Sequence, residues 1–210
     1  LFSGQDSYTY ILRTADGLDS DPISSNISIK PVGSNDVATT LAATVLSIPV
    51  KDNDVSSAGN SVVINNVPLN GTVSVNASGE VTYTPNPTFS GKDSFKYLLR
   101  TPDGYESDPI TVTVTVKPVG TSDLKSYTLN TPLTINVTDN DLSKANTNVV
   151  INTNPANGTV TVNSSGVVTY TPNNGFTGTN TFTYLLRTID GIDSDPITVT
   201  VTPTATTPTG

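Results

Sequence analysis

A short segment occurs three times at a fixed interval, and this repeat limits the chain to a tandem architecture. Residues 2–8 (FSGQDSY) recur as residues 89–95 (FSGKDSF) and again as residues 176–182 (FTGTNTF), each time 87 positions further on. The triplet Asp-Asn-Asp at residues 52–54 returns at residues 139–141, at the same interval. No insertion or deletion interrupts the period. The sequence therefore predicts one structural unit used repeatedly, in which each unit contacts mainly its neighbours.

The 87-residue period divides the 210 residues into repeats of unequal completeness. Residues 1–31 are predicted to be the C-terminal part of a first β-sandwich repeat. Residues 32–118 are predicted to be a second, complete repeat, and residues 119–205 a third, complete repeat. Residues 206–210 read as a linker or tail that is rich in Thr and Pro. The incomplete first repeat is expected to contain two strands, at residues 8–13 and 23–29.

Apolar and polar residues alternate along each repeat, as they do in half-buried β-strands. Ile110, Val112, Val114 and Val116 are separated by single Thr residues, which favour strands without adding apolar surface. About seven such segments fit into each period, between Asn-Gly, Ser-Gly and Asp-Gly turns. We therefore predict an all-β fold of tandem seven-stranded Greek-key β-sandwiches. The predicted core of the second repeat consists of Ile48, Ile64, Tyr83, Phe95, Tyr97, Val112 and Val114.

Composition argues against several classes of function. The sequence has no Cys and no His, so a zinc finger, an iron–sulfur cluster and a Ser–His–Asp triad are excluded. The net charge of −8 argues against a nucleic-acid partner. No apolar run approaches the roughly 20 residues of a membrane helix, so we expect no membrane insertion by this segment. Glu occurs only at Glu80 and Glu106, without counterparts in the third repeat, so we predict no catalytic residues and no enzymatic activity.

Several spaced motifs resemble those of a known family. The second repeat carries GTV at residues 71–73, GEVTYTP at 79–85, FSGKDSFKY at 89–97 and DG at 103–104. This pattern resembles the bacterial Ig-like and cadherin-like tandem repeats of large cell-surface adhesins, and the third repeat carries it too. The resemblance implies an extracellular or cell-surface protein that is not an enzyme. It also implies that the immediate partners of each repeat are its neighbours in the same long chain or filament.

Three functions are compatible with such repeats. The first is a structural stalk or filament region that spaces and displays a distal binding domain of an adhesin, whose target is an extracellular glycan or protein. The second is a glycan-binding or enzyme-appended accessory module. The third is an extracellular filament subunit that assembles by strand complementation. Most aromatic residues alternate inward, and Tyr105 is the one aromatic residue at a predicted loop tip, which favours the first function.

Calcium is the candidate ligand, because many members of the resembled family bind it between modules. No cofactor is required by the sequence itself. Loops at one pole of each sandwich carry acidic residues, and calcium takes about six to eight oxygen ligands. We expect two junctional sites. The first set is Asp6, Asp36, Asp52, Asp54 and Asp103, and the second set is Asp93, Asp123, Asp139, Asp141 and Asp190.

Arginine offers an alternative to a metal at these loops. Arg100 lies three residues before Asp103, and Arg13 and Arg187 occupy the matching positions in the other repeats. An arginine at this position is predicted to neutralise Asp52 or Asp103 by a charge-assisted hydrogen bond. Aspartates in turns also bond to their own backbone, which would leave them no role in binding. The sequence leaves these alternatives open.

Overall fold

The computed structural model describes residues 2–204, which form β-strands joined by turns and loops. The tail predicted at residues 206–210 and the last residue of the third repeat, residue 205, lie outside the described residues. Two tandem Ig-like sandwiches follow a two-stranded hairpin, so the predicted all-β fold is confirmed. No helix within residues 2–204 has the length and apolar character needed to cross a bilayer.

The hairpin consists of β1 (Gly4–Tyr10) and β2 (Ile23–Ile29), which pair antiparallel. The prediction for β2 is confirmed, but that for β1 is wrong at both ends. The matching strand of the second repeat is three residues longer at its C-terminal end, where it pairs with a neighbouring strand that the hairpin lacks. Without that partner β1 ends at Tyr10, and only an isolated bridge between Arg13 and Asp19 follows.

The second repeat contains seven strands in two sheets. The strands are β3 (Asp36–Leu41), β4 (Leu46–Ile48), β5 (Ser61–Asn66), β6 (Gly71–Val75), β7 (Val81–Pro85), β8 (Gly91–Arg100) and β9 (Ile110–Lys117). One sheet has the order β3-β9-β8-β5 and the other has the order β4-β7-β6. A Cβ atom at Gly71 would lie 2.6 Å from the Thr84 carbonyl oxygen. The Asn-Gly pair that opens β6 thus permits a close approach to β7.

The third repeat reproduces this arrangement. Its strands are β10 (Asp123–Tyr127), β11 (Leu133–Ile135), β12 (Thr147–Thr153), β13 (Gly158–Val162), β14 (Val168–Pro172), β15 (Asn180–Thr188) and β16 (Ile197–Pro203). The sheet orders are β10-β16-β15-β12 and β11-β14-β13. β10 pairs parallel with β16, whereas the other pairs of known register are antiparallel. This parallel edge strand brings the start of each complete repeat beside its last strand.

Alternating residues fill the space between the two sheets. Along β9 every second residue is buried, so valines face the core while the Thr residues between them are only partly covered. The core predicted for the second repeat is confirmed except at Ile64, which is half-buried. β5 is an edge strand with a register shift between Ile64 and Asn66, and this irregularity turns Ile64 partly out of the core.

Candidate functional site

A tyrosine hydroxyl in the second repeat is buried and surrounded by acidic side chains. Tyr97 in β8 points into the core, and its hydroxyl lies 2.7 Å from the Val50 carbonyl oxygen and 2.9 Å from Asp54 Oδ2. One hydroxyl carries one proton, so these two acceptors compete for it. Asp36, at the start of β3, lies beside the same hydroxyl. We call Tyr97, Asp36, Asp54 and the Val50 carbonyl the Tyr97 cluster.

The third repeat contains the same arrangement 87 residues later. The Tyr184 hydroxyl lies 2.7 Å from Asp141 Oδ2 and 2.9 Å from the Val137 carbonyl oxygen. Asp123 Oδ2 lies 3.5 Å from the same hydroxyl. We call these groups the Tyr184 cluster. Two independent copies of one geometry indicate that the repeat pattern, rather than a local accident, places the acids around the tyrosine.

The linker before each complete repeat holds one of these acids. Asp54 Oδ1 accepts a hydrogen bond of 2.8 Å from the Ser34 backbone N–H. A Cβ atom at Gly33 would lie 2.7 Å from Asp54 Oδ1 and 2.2 Å from Ile110 Cδ1. The Pro-Val-Gly sequence of the linker therefore needs glycine because the backbone passes so close to the acid. Gly120 and Thr121 stand in the same relation to Asp141 in the third repeat.

Burial changes the acidity of both clusters. Burial, reinforced by the charge of Asp54, raises the pKa of Asp36 from 3.8 to about 6. Burial likewise raises the pKa of Asp123 from 3.8 to about 6, with Lys125 opposing the rise. The pKa of Tyr97 and of Tyr184 is also raised, first by burial and then by the hydrogen-bonded carboxylate. Oδ2 of Asp36 is buried and accepts no hydrogen bond among the described residues.

Five of the other predicted ligands are exposed or make only weak or local contacts. Asp6 accepts a bond of 2.8 Å from the backbone of its own neighbour, Ser7. Asp103 Oδ2 accepts a long bond of 3.4 Å from the Gln5 backbone N–H, and Asp190 Oδ2 accepts one of 3.5 Å from the Lys92 backbone. Asp52 is exposed, as is its counterpart in the third repeat, Asp139. The structure thus brings two acids together in each cluster.

Asp93 has a different environment within the second repeat. Its two oxygens accept hydrogen bonds from one side-chain hydroxyl and three backbone N–H groups, those of Tyr83, Leu69, Asn70 and Ser94, at 2.9–3.2 Å. Its side chain is buried. All of these donors belong to the second repeat, so Asp93 stabilises the loop before β6 and leaves no oxygen without a donor.

The oxygens of each cluster fall short of a calcium shell. Calcium takes about six to eight oxygens, whereas the Tyr97 cluster supplies two carboxylates, and both oxygens of Asp54 already accept hydrogen bonds. Within residues 2–204 no three acidic side chains converge closely enough to hold a metal ion. We therefore assign no metal to either cluster, and junctional calcium stays a prediction for experiment.

The predicted pairing of arginine with the loop aspartates is wrong. Arg100 contacts Glu106 instead of Asp52 or Asp103, and the two residues also form an isolated β-bridge. The other repeats use the same spacing of six residues, because Arg13 pairs with Asp19 and Arg187 pairs with Asp193. The chain reverses at each Asp-Gly turn, which places the sixth residue, not the third, across from the arginine. These pairs are largely exposed and therefore contribute little to stability.

Sequence reasoning missed the role of the tyrosine hydroxyls. Tyr10, Tyr97 and Tyr184 occupy the same position in all three repeats. The alternation of apolar residues assigns Tyr97 to the core by its ring alone. A buried tyrosine usually needs a partner for its hydroxyl. The sequence does carry a signal for this role: a tyrosine at the same inward-facing position of each repeat, together with an Asp-Asn-Asp triplet in each complete repeat.

Two family models match consecutive parts of the chain. Residues 28–115 match the bacterial Ig domain, and residues 117–205 match the bacterial cadherin-like domain. Domains of these two types are typically non-catalytic. A search of the curated proteins found no match.

Several solved structures resemble the chain at low similarity. The D00–D0 domain of intimin is 16% identical with a TM-score of 0.36, over 79% of this chain and 96% of that one. An endo-fucoidan hydrolase of glycoside hydrolase family 107 is 15% identical with a TM-score of 0.34, over 98% of this chain. A SusE-like surface-located polysaccharide-binding protein from Bacteroides thetaiotaomicron is 15% identical with a TM-score of 0.32, over 85% of this chain. The chain spans only 35% and 34% of the lengths of the latter two.

Proposed function

Since the chain belongs to the bacterial Ig-like and cadherin-like tandem-repeat proteins, we propose that it is a structural repeat region of a secreted or cell-surface protein. In this role it forms part of a stalk or filament of an adhesin and spaces a distal binding domain from the cell. Its immediate partners are neighbouring repeats of the same chain or filament. Its mechanism is mechanical: folded sandwiches in series transmit position and force without chemistry.

One observation carries this proposal, namely that the polar contacts recur with the sequence period. The ion pair between Lys30 and Asp108 returns 87 residues later between Lys117 and Asp195. Each pair joins the end of one repeat to the following one. Exposed ion pairs are worth little energy individually. Because the ion pair recurs, consecutive repeats are joined by the same contact, and this supports a spacer built of equivalent units.

The buried acids support a structural role over a catalytic one. Asp54, Asp93 and Asp141 are all buried and hydrogen-bonded to tyrosine hydroxyls and backbone N–H groups. Catalytic acids need access to a substrate in a cleft. The acids of the clusters instead join a linker to a sandwich core. This use of the carboxylates is the reason that we propose no enzymatic activity.

The placement of aromatic residues gives no support to the glycan-binding alternative. Sugar-binding surfaces use exposed aromatic rings, yet among the described residues the strongly exposed aromatic side chains are those of the hairpin: Phe2, Tyr8 and Tyr10. Tyr105, in the second repeat, is half-buried. The counterparts of Phe2, Tyr8 and Tyr10 in the complete repeats pack against other residues of the same repeat. A glycan array with the purified chain should therefore show no saturable binding, and specific binding would favour the accessory-module function.

Single-molecule pulling tests the mechanical role. Each complete repeat has 87 residues, so its unfolding should lengthen the chain by about 30 nm less the folded span. We expect two such steps per chain, and a chain with a destabilised second repeat should lose one of them. A single large step or featureless extension would contradict a series of independent sandwiches.

Exposure on the cell tests the location. Antibodies raised against residues 32–118 should label intact cells of the source organism or its secreted fraction. External protease should remove that label while a cytoplasmic marker stays intact. Labelling that requires permeabilised cells would refute an extracellular spacer, even if the mechanical result held.

A further inference from the structure

The hairpin exposes the residues that form the core in the other repeats. Tyr8 and Tyr10 are 54% and 43% exposed, whereas their counterparts Phe95 and Tyr97 are 1% and 0% exposed. Leu12, Ile27 and Ile29 are likewise exposed, at 39–60%, and each has a fully buried counterpart in the second repeat, namely Leu99, Val114 and Val116. The side chains are of the same apolar type in both places. The hairpin therefore has a core face without the sheet that covers it elsewhere.

Both edges of the hairpin are also open. In the third repeat the strand equivalent to β2 is β16, which pairs parallel with β10, and the strand equivalent to β1 is β15, which pairs antiparallel with β12. Within the described residues the hairpin is a sheet of two strands alone. An isolated two-stranded hairpin is marginally stable in water, and its open edges readily accept further strands.

The Tyr10 hydroxyl indicates one polar group that a segment covering this face must provide. Its counterparts Tyr97 and Tyr184 each lie within 2.9 Å of both a carbonyl oxygen and an aspartate oxygen. Each aspartate comes from the loop after the second strand of the same repeat. No such strand precedes Tyr10 within residues 2–204. A segment that covers this face must therefore bring an acid to Tyr10 as well as apolar side chains.

A second copy of the described segment cannot supply a covering segment without uncovering another hairpin. Residues 2–204 contain three hairpins of this type (β1–β2, β8–β9 and β15–β16) but two covering segments (β3–β7 and β10–β14). Any number of copies keeps that ratio, so exchange of strands between copies always leaves one hairpin per copy uncovered. The partner must contain an additional covering segment.

The start of the hairpin indicates how that segment is attached. In the second repeat residues 86–90 connect β7 to β8, and they end in Phe-Ser before Gly91. Residues 2–4 repeat this Phe-Ser-Gly sequence. Asn60 Nδ2 donates a hydrogen bond of 3.0 Å to the Ser3 hydroxyl, so this end of a connection is already held in place. Residues 2–4 therefore correspond to the end of a connection that, in the second repeat, leads from the covering segment into the hairpin.

We propose that the apolar face formed by Tyr8, Tyr10, Leu12, Ile27 and Ile29 docks a five-stranded segment of the same repeat type, joined to the N-terminal side of the hairpin. This segment places a parallel strand beside β2, an antiparallel strand beside β1 and a three-stranded sheet over the aromatic rings. It gives the Tyr10 hydroxyl a carboxylate acceptor. The product is a further complete sandwich. The inference does not depend on where the protein acts.

The exact period provides the experiment. Residue 88 corresponds to residue 1, so residues 32–87 placed directly before residue 1 supply a covering segment in register. Amide hydrogen exchange is measured across residues 4–29 in the 210-residue chain and in the extended chain. We expect exchange in β1 and β2 to slow by at least about 100-fold in the extended chain, to the level of β8 and β9. Protection should also extend to residues 11–13, where β1 now ends.

A matched control separates docking from added length. The control extension carries Val81→Ala and Tyr83→Ala in the added copy, which removes buried side chains of the covering sheet. It should leave the hairpin amides fast while β8, β9, β15 and β16 stay protected. Three results would overturn the proposal: slow exchange of the hairpin in the monomeric 210-residue chain, protection that appears only as its concentration rises, or fast exchange in an extended chain whose other repeats are folded.

Discussion

The second and third repeats share a fold and a buried tyrosine but differ in the polar groups around their cores. In the second repeat Asp93 accepts four hydrogen bonds, including one of 2.9 Å from the Tyr83 hydroxyl. At the same position the third repeat has Asn180, whose Nδ2 donates to the Tyr170 hydroxyl at 3.3 Å. A charged acceptor and a neutral amide thus occupy one site. The repeat therefore requires a hydrogen-bond partner for this tyrosine hydroxyl but not a charged one.

A second difference concerns the step from one repeat to the next. Asn60 Nδ2 donates to the Ser3 hydroxyl of the preceding repeat at 3.0 Å. Asn60 Nδ2 also donates to the Ser56 carbonyl at 2.6 Å. The third repeat has Thr147 at that position, which makes the equivalent bond to the Ser143 carbonyl at 2.6 Å but, within residues 2–204, none to the preceding repeat. Ser90, the counterpart of Ser3, is left with a buried hydroxyl that has no hydrogen-bond partner among the described residues. Equivalent positions therefore differ in how fully their polar groups are satisfied.

The largest expected effect tests whether the two tyrosine clusters are independent. Tyr97→Ala should destabilise the second repeat by about 3–5 kcal/mol, and Tyr184→Ala the third by a similar amount, because each leaves a large cavity and unpaired acids. Amide exchange resolved by repeat in the full chain measures both. Tyr105→Ala, in a half-buried loop position, is the matched control and should cost less than about 1 kcal/mol. Equal losses in both repeats from one substitution would show that they unfold together.

The next effect tests the contrast between Asp93 and Asn180. Asp93→Ala should cost about 3 kcal/mol, since it leaves the Tyr83 hydroxyl and backbone N–H groups buried without an acceptor. Asn180→Ala removes fewer contacts and should cost about 1 kcal/mol. The cost of Asp93→Asn, which gives the second repeat the residue found in the third, should lie between these two values. Denaturation followed by repeat-specific exchange checks this order, and a larger cost at Asn180 would reverse the interpretation.

The pH dependence tests the second acid of each cluster. Because the folded-state pKa of Asp36 and of Asp123 is raised to about 6, the folded chain holds protons that the unfolded chain has released. Their contribution is therefore fully present below about pH 4 and is lost as the pH rises through 6. Asp36→Asn with Asp123→Asn should flatten the parent's fall in melting temperature between pH 4 and about 7. An unchanged slope in this double variant would contradict the assigned acidity.

A smaller effect tests the contrast between the contacts that join consecutive repeats. Thr147→Asn should give the Ser90 hydroxyl the partner that Ser3 has, and should stabilise the third repeat by about 1 kcal/mol. Asn60→Thr, the reverse change, should destabilise the second repeat by a similar amount. Thermal melting of both variants provides the measurement. Destabilisation by Thr147→Asn would show that asparagine at this position does not bond both the Ser143 carbonyl and the Ser90 hydroxyl, as Asn60 bonds their counterparts.

The smallest expected effect concerns calcium. Two carboxylates per cluster predict equal melting temperatures with calcium and with chelator, because a ligand raises stability only by binding the folded state. The double variant Asp52→Ala and Asp54→Ala is the control. A rise with calcium in the parent that disappears in this variant would establish a junctional site after all. Its absence in both would leave the carboxylates with the structural role alone.

The repeat period and the alternation of apolar residues predicted most of the fold. Ile110 to Val116 identified a strand and its buried face, because side chains on a strand point alternately to two sides. The same pattern failed at Ile64, where a bulge changes the register. It failed again at β1, because the end of a strand depends on a neighbour that lies elsewhere in the chain.

The candidate site was predictable only in part. The Asp-Asn-Asp triplets and the acids of the linkers were recognisable as a group, and Asp36 with Asp54 does lie at one pole. The sequence could not show that a tyrosine hydroxyl brings them together, nor that Arg100 reaches Glu106. Such contacts join residues that are far apart in sequence or that face each other across a turn, and spacing alone does not settle their geometry.

The repeat unit follows from the sequence alone: its length of 87 residues, its strands and the side of each strand that is apolar. These properties are local, since they follow from side-chain periodicity and turn residues. Which polar atoms meet depends on the tertiary structure, because sheet pairing sets the distances between segments that are far apart in sequence. The hairpin illustrates the local and the tertiary contribution together. Its sequence specifies a core face as clearly as β8 and β9 do, yet burial of that face requires strands that lie outside residues 2–204.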